Sequence, residues 1–176
     1  LKIQPAKREQ SEMFKVNDYV VYGLKGVCRI GYIGRDTYNQ NDETDYYFLS
    51  PVLNEKMTVM VPVNNPNIIL RPIITKEGVM SLIGMMPEIA SDWIDDDKQR
   101  AITFKAALKA ATPQEYVKII KSLYLEKEAR SGLGKNLAKL DEEIFRTAEA
   151  YLYQEFALAL NISPDEVVPF IQDHIS

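Results

Sequence analysis

Hydrophobic residues follow two regimes along this chain. From Phe14 to about Arg71 they form short runs rich in β-branched and aromatic residues. These runs are Tyr19-Val20-Val21-Tyr22, Val27 to Ile33, Tyr46-Tyr47-Phe48-Leu49 and Met57 to Val61, with Ile68 to Arg71 as a candidate fifth. Such residues suit a pleated, half-buried surface. Turn formers separate them at Gly23 to Gly26, Asn39 to Asp42 and Asn54 to Lys56. Short strands at this spacing predict a small, strongly bent sheet or half-open barrel. Pro51 and Pro62 cannot donate to a ladder, so they belong at strand ends or on an edge.

From Thr75 onward the period changes to three or four. Val79, Leu82, Ile83 and Met86 begin it. Ser91 or Asp92 is placed to cap a helix running through Trp93 to about Ala111, with Ile94, Ala101, Phe104 and Leu108 at helical spacing. Thr112-Pro113-Gln114-Glu115 is a strong helix start: cap, proline in the first turn, acid three residues on. Gly132 and Gly134 interrupt the pattern before a long helix from Leu137 to Phe156. Ser163-Pro164-Asp165-Glu166 repeats the start signal for a last short helix. Strands followed by helices predict an α+β chain. The expected division is a disordered arm over residues 1–12, a β domain over 13–72, a connecting helix or linker over 73–90 and a helical domain over 91–176.

Composition narrows the chemistry. The formal charge of the 176 residues is -4, which counts against a tight, free-standing nucleic-acid binder. The charge is uneven: residues 13–72 balance six bases with six acids, and residues 131–176 set three bases against eight acids. Over 91–130, Lys98, Arg100, Lys105, Lys109, Lys118 and Lys121 predict a weakly basic face behind an acidic helix start. Cys28 is the single cysteine, which excludes an intrachain disulfide and a Cys-rich zinc site. His174 is the single histidine, a poor anchor for a Ser-His-Asp or Cys-His set. No apolar run approaches the ~20 residues of a membrane span, and LKIQPAKREQSE has no signal-peptide core. The expectation is a non-enzymatic, cytoplasmic protein without cofactor, metal or membrane partner.

The remaining motifs have plain structural readings. Asp95-Asp96-Asp97 lies on different sides of a helix and lacks a calcium loop, so it reads as acids at a helix N-terminus. Gly132-Leu133-Gly134-Lys135 lacks the spacing and the preceding strand of a phosphate loop. Glu142 and Glu143 are adjacent on a helix and do not face each other. Trp93, the only tryptophan, has two readings. It is a packing anchor, or an apolar wedge for a distorted base step with nearby Lys98 and Arg100 on phosphates. The Met57–Val61 edge likewise reads as a covered strand or as one awaiting a partner strand.

Phe14-Lys15-Val16-Asn17-Asp18-Tyr19-Val20-Val21-Tyr22, followed by Gly26-Val27-Cys28-Arg29-Ile30, resembles the start of the CarD-like family of bacterial transcription regulators. Tyr46 to Leu49, Met57 to Pro62 and Leu70-Arg71 match that family's following strands, and Trp93 falls at its single Trp. The resemblance implies a Tudor-like β module that binds the RNA polymerase β subunit, a module shared with transcription-repair coupling factors. It further implies a helical module that places Trp93 in the minor groove at the upstream edge of the promoter bubble and stabilises the open complex. By position, Lys98 and Arg100 are the implied phosphate contacts, and Arg35, Val59, Met60 and Val61 the implied polymerase-facing residues. Promoter DNA would then be a weak, polymerase-dependent partner of a monomeric factor. The alternative is a protein-interaction module with no DNA contact. The chain departs from the family pattern at Asn17, in place of Gly, at Met60, and at Ile94-Asp95-Asp96-Asp97 after the Trp.

Overall fold

The computed structural model describes residues 14–176, so the expected arm at 1–12 and the start at Met13 lie outside the described residues. The chain divides into two compact units that meet in sequence at Pro72 and Ile73. In the first, β1 (Tyr19–Tyr22), β2 (Gly26–Arg35), β3 (Asp45–Pro51), β4 (Val59–Pro62) and β5 (Leu70–Pro72) form one antiparallel sheet. Its strand order is β4-β3-β2-β1-β5, so β4 and β5 are the edges. Each predicted run became a strand, and the prolines sit at the ends of β3, β4 and β5, where a missing N–H does least harm. One face buries Phe14, Val20, Cys28, Ile30, Tyr47, Leu49, Val61 and Val63. Phe14 meets Tyr47 edge-on at 6.0 Å.

Two backbone positions set the start of this sheet. Asn17 has φ 75°, and its N–H donates to the Ile30 carbonyl at 2.7 Å. Asparagine tolerates this left-handed conformation better than most residues, so the departure from glycine here preserves the turn. Gly26, at φ 68° and ψ -145°, opens β2 in a conformation that a side chain would strain.

The second unit contains α1 (Lys76–Met85), α2 (Asp97–Ala110), α3 (Pro113–Ser131), α4 (Lys139–Leu160) and α5 (Val167–His174). Within residues 73–90, α1 packs on α4 and α5, burying Val79, Leu82 and Ile83. The Ile74 N–H also donates to the buried Glu155 carboxylate at 2.8 Å. Thr112 caps α3 by accepting from the Glu115 N–H at 3.3 Å. At the C-terminal start, the Ser163 N–H donates to Glu166 Oε2 at 2.8 Å, half of a reciprocal capping box. α3 supplies Tyr116, Val117, Ile119 and Leu123, and α4 supplies Ile144, Phe145, Ala148, Leu152 and Phe156, to the helical core. No helix among the described residues is long and apolar enough to cross a membrane.

Candidate functional site

The expected helix start at Ser91 or Asp92 is corrected by the structure. α2 begins at Asp97, and Asp96 caps it by accepting from the Gln99 N–H at 2.7 Å. Trp93 therefore lies on an irregular loop, half-buried. The physical cause is Arg100. Its Nη1 donates to the carbonyls of Ile94 at 2.7 Å and Asp95 at 3.3 Å, which turns them away from a helical ladder.

All five guanidinium donors of Arg100 are used. Nε and Nη2 grip the two oxygens of Asp141 on α4 at 3.1 and 2.8 Å, and Nη2 also reaches Asp97 Oδ1 at 2.6 Å. The residue is 1% exposed. Hydrogen bonds to Asp141 raise its pKa above the ordinary arginine value, more than burial lowers it. Its planar face lies 4.3 Å from the Trp93 ring centroid, and the Arg130 guanidinium lies 5.8 Å from the same centroid. Arg100 is thus not placed to meet a phosphate, because its protons are spent inside the protein. It holds the indole instead.

A second cation fixes the start of this loop. Lys121 Nζ on α3 donates to the carbonyls of Met86, Pro87 and Ile89 at 3.2, 3.0 and 2.7 Å. The predicted basic face loses both Arg100 and Lys121 to these internal duties. Lys98, Lys105 and Lys109 remain exposed on α2, with Lys118 exposed on α3. Asp92, Asp95 and Asp96 are exposed beside the indole. Nothing in the local sequence distinguishes Arg100 and Lys121 from the solvated bases around them, since the Asp141 partner is 41 residues away.

On the β unit, β4 pairs only with β3 among the described residues. The Val63 N–H donates to the Asp45 carbonyl at 2.9 Å, and the register pairs Val61 with Tyr47, Met60 with Phe48 and Val59 with Leu49. Antiparallel pairs alternate, so Val59 and Val61 bond inward to β3, and the N–H and C=O of Met60 point to the open edge. Among the four expected polymerase-facing residues, Arg35 and Met60 are exposed and Val59 is half-buried. Val61 is 1% exposed and belongs to the core, because side chains alternate along a strand. Its expected place on a docking surface is corrected to an interior one.

Residues 14–74 match the family model described as CarD-like/TRCF RID domain. No curated protein matches the chain in sequence. The match covers the whole sheet, from Phe14 through β5. The β unit of this chain is accordingly a CarD-like/TRCF RID domain, of the RNA polymerase-interacting type.

Proposed function

We propose that the protein is a non-enzymatic, monomeric transcription factor that docks on the RNA polymerase β subunit through the open edge of β4. The helical unit then offers Trp93 to the minor groove at the upstream edge of the promoter bubble, stabilising the open complex. The observation that carries the first half is the RID match together with an edge strand whose Met60 backbone groups point outward. An extended segment adding to such an edge gains main-chain hydrogen bonds, and its side chains set the specificity.

The support for the second half is the fixed loop around Trp93. Stacking on Arg100 and anchoring by Lys121 leave the indole half-exposed and pre-oriented. An apolar wedge acts by unstacking a base step, which does not require a basic face. With docking on polymerase supplying a high effective concentration, a weak DNA contact suffices. Lys98, exposed at the second residue of α2, is the phosphate contact that this arrangement leaves open.

Trp93→Ala tests the wedge. Polymerase binding should persist while the open-complex lifetime falls; an unchanged lifetime rejects the role. A second reading is favoured by the exposed Asp92, Asp95 and Asp96 beside the indole, since carboxylates near phosphates weaken binding. In that reading Trp93 meets a protein, and Lys98→Ala leaves promoter binding unchanged.

A further inference from the structure

The outer face of the sheet carries an apolar row that runs to the open edge. Tyr32 on β2 lies opposite Phe48 on β3, and Phe48 opposite Met60 on β4. The Tyr32 and Phe48 rings are 5.2 Å apart. Tyr32 is 51% exposed and Met60 38%. A register shift between Ile30 and Tyr32 creates the row. It adds one residue to β2, so Ile30 and Ile33 pack on the core while Tyr32 turns outward. Gly34 then leaves room for the ring to lie back along the strand: a β-carbon there would sit 2.8 Å from Tyr32 Cζ.

We infer that this row selects the partner strand by side-chain chemistry, and that the partner places an apolar residue opposite Met60. The inference rests on the strand-addition reading above and specifies its occupant: an extended segment of the polymerase β subunit with an aliphatic or aromatic residue at its centre. The backbone groups of Met60 face the open edge, so the residue opposite it forms a hydrogen-bonded pair with it. Directly opposed residues on neighbouring strands point to the same face. The incoming side chain therefore continues the line Tyr32–Phe48–Met60 onto one more strand. Tyr46, Ser50 and Pro62, which flank the row on this face, carry no charge; the nearest charges are Arg29, opposite Ser50 on β2, and Asp42, which accepts from the Tyr46 hydroxyl at 2.7 Å, so a residue set against Met60 meets an apolar neighbour first.

The test is binding of the full chain to the RNA polymerase β subunit, measured for wild type, Met60→Leu, Met60→Thr and Tyr32→Thr. Circular dichroism and melting checks that each variant keeps its fold. Met60→Leu should bind within about twofold of wild type, whereas Met60→Thr should weaken binding by about tenfold or more through lost apolar burial. Tyr32→Thr, one strand further from the edge, should weaken it by about threefold. Wild-type affinity should change little between about 50 and about 500 mM salt, because no exposed ion pair carries the contact. Folded Thr variants that bind as wild type does, or a steep salt dependence, overturn the apolar row while docking stands. Absence of wild-type binding overturns docking itself and the row with it.

Discussion

The Arg100 guanidinium stacks on the Trp93 indole at 4.3 Å while both of its edges are held by carboxylates, Asp141 from α4 and Asp97 from its own helix. Orientation of the half-buried ring therefore depends on a buried ion pair between elements distant in sequence. Removing the Asp141 charge leaves the buried guanidinium with only the exposed Asp97 carboxylate to balance it. Asp141→Asn should destabilise the helical unit by about 3 kcal/mol or more. It should also move Trp93 emission to the red as the loop loosens. Arg100→Lys should not rescue either property, since an ammonium cannot supply five donors in one plane. Chemical denaturation followed by tryptophan fluorescence reads both.

Lys121 predicts a separate effect on the same loop. Lys121→Met strands the carbonyls of Met86, Pro87 and Ile89. A cost of about 1–3 kcal/mol is expected for the lost charged hydrogen bonds. Lys121→Arg should recover only part of it, because a planar fork does not point at three converging oxygens. Amide hydrogen exchange should rise over residues 86–96 in the Met variant and remain unchanged in the β unit.

Cys28 makes the β unit sensitive to alkali. Burial pushes its thiol pKa up from 9.0 to about 12. Between these values the unfolded chain has released the proton and the folded chain still holds it. The unfolded state then binds fewer protons, so stability falls as pH rises through that window, by up to about 1.4 kcal/mol per pH unit. Cys28→Ala should remove this slope relative to wild type. Thiol reagents should leave the folded protein unlabelled at neutral pH, and rapid labelling of native protein would contradict the burial.

Asn17 and its left-handed φ give a test of local backbone strain. Asn17→Gly should leave stability within about 0.5 kcal/mol, since glycine adopts this conformation freely at some entropic cost. Asn17→Ala should cost about 1 kcal/mol or more, because alanine keeps a β-carbon in the left-handed region without the polar side chain that eases it for asparagine. Denaturation midpoints of the three proteins should rank Asn and Gly together above Ala.

The α+β layout was legible because strands and helices are local patterns. The β-branched runs, the Thr112 cap and the Ser163-to-Glu166 box each act within a few residues, and all appear where the sequence places them. The start of α2 was not legible. Ser91 and Asp92 satisfy the local rule for a cap as well as Asp96 does, and the choice is made by Arg100 drawing the Ile94 and Asp95 carbonyls to itself. The same residue shows why charge counts misled: a base paired with a carboxylate 41 positions away looks, in sequence, like any solvated base. At β4, the run Val59-Met60-Val61 is apolar throughout, so only the pairing with β3 reveals that Met60 alone turns out.

The shortness of β4 has a further consequence. The strand is four residues long and ends at Pro62, which has no N–H to offer outward. Beside the Met60 groups, the open edge adds only the Pro62 carbonyl at that end. An uninterrupted edge would act as a template on which identical molecules could stack sheet to sheet without limit. On the strand-addition reading, an edge this brief favours a segment that brings matching side chains of its own over one that offers main chain alone.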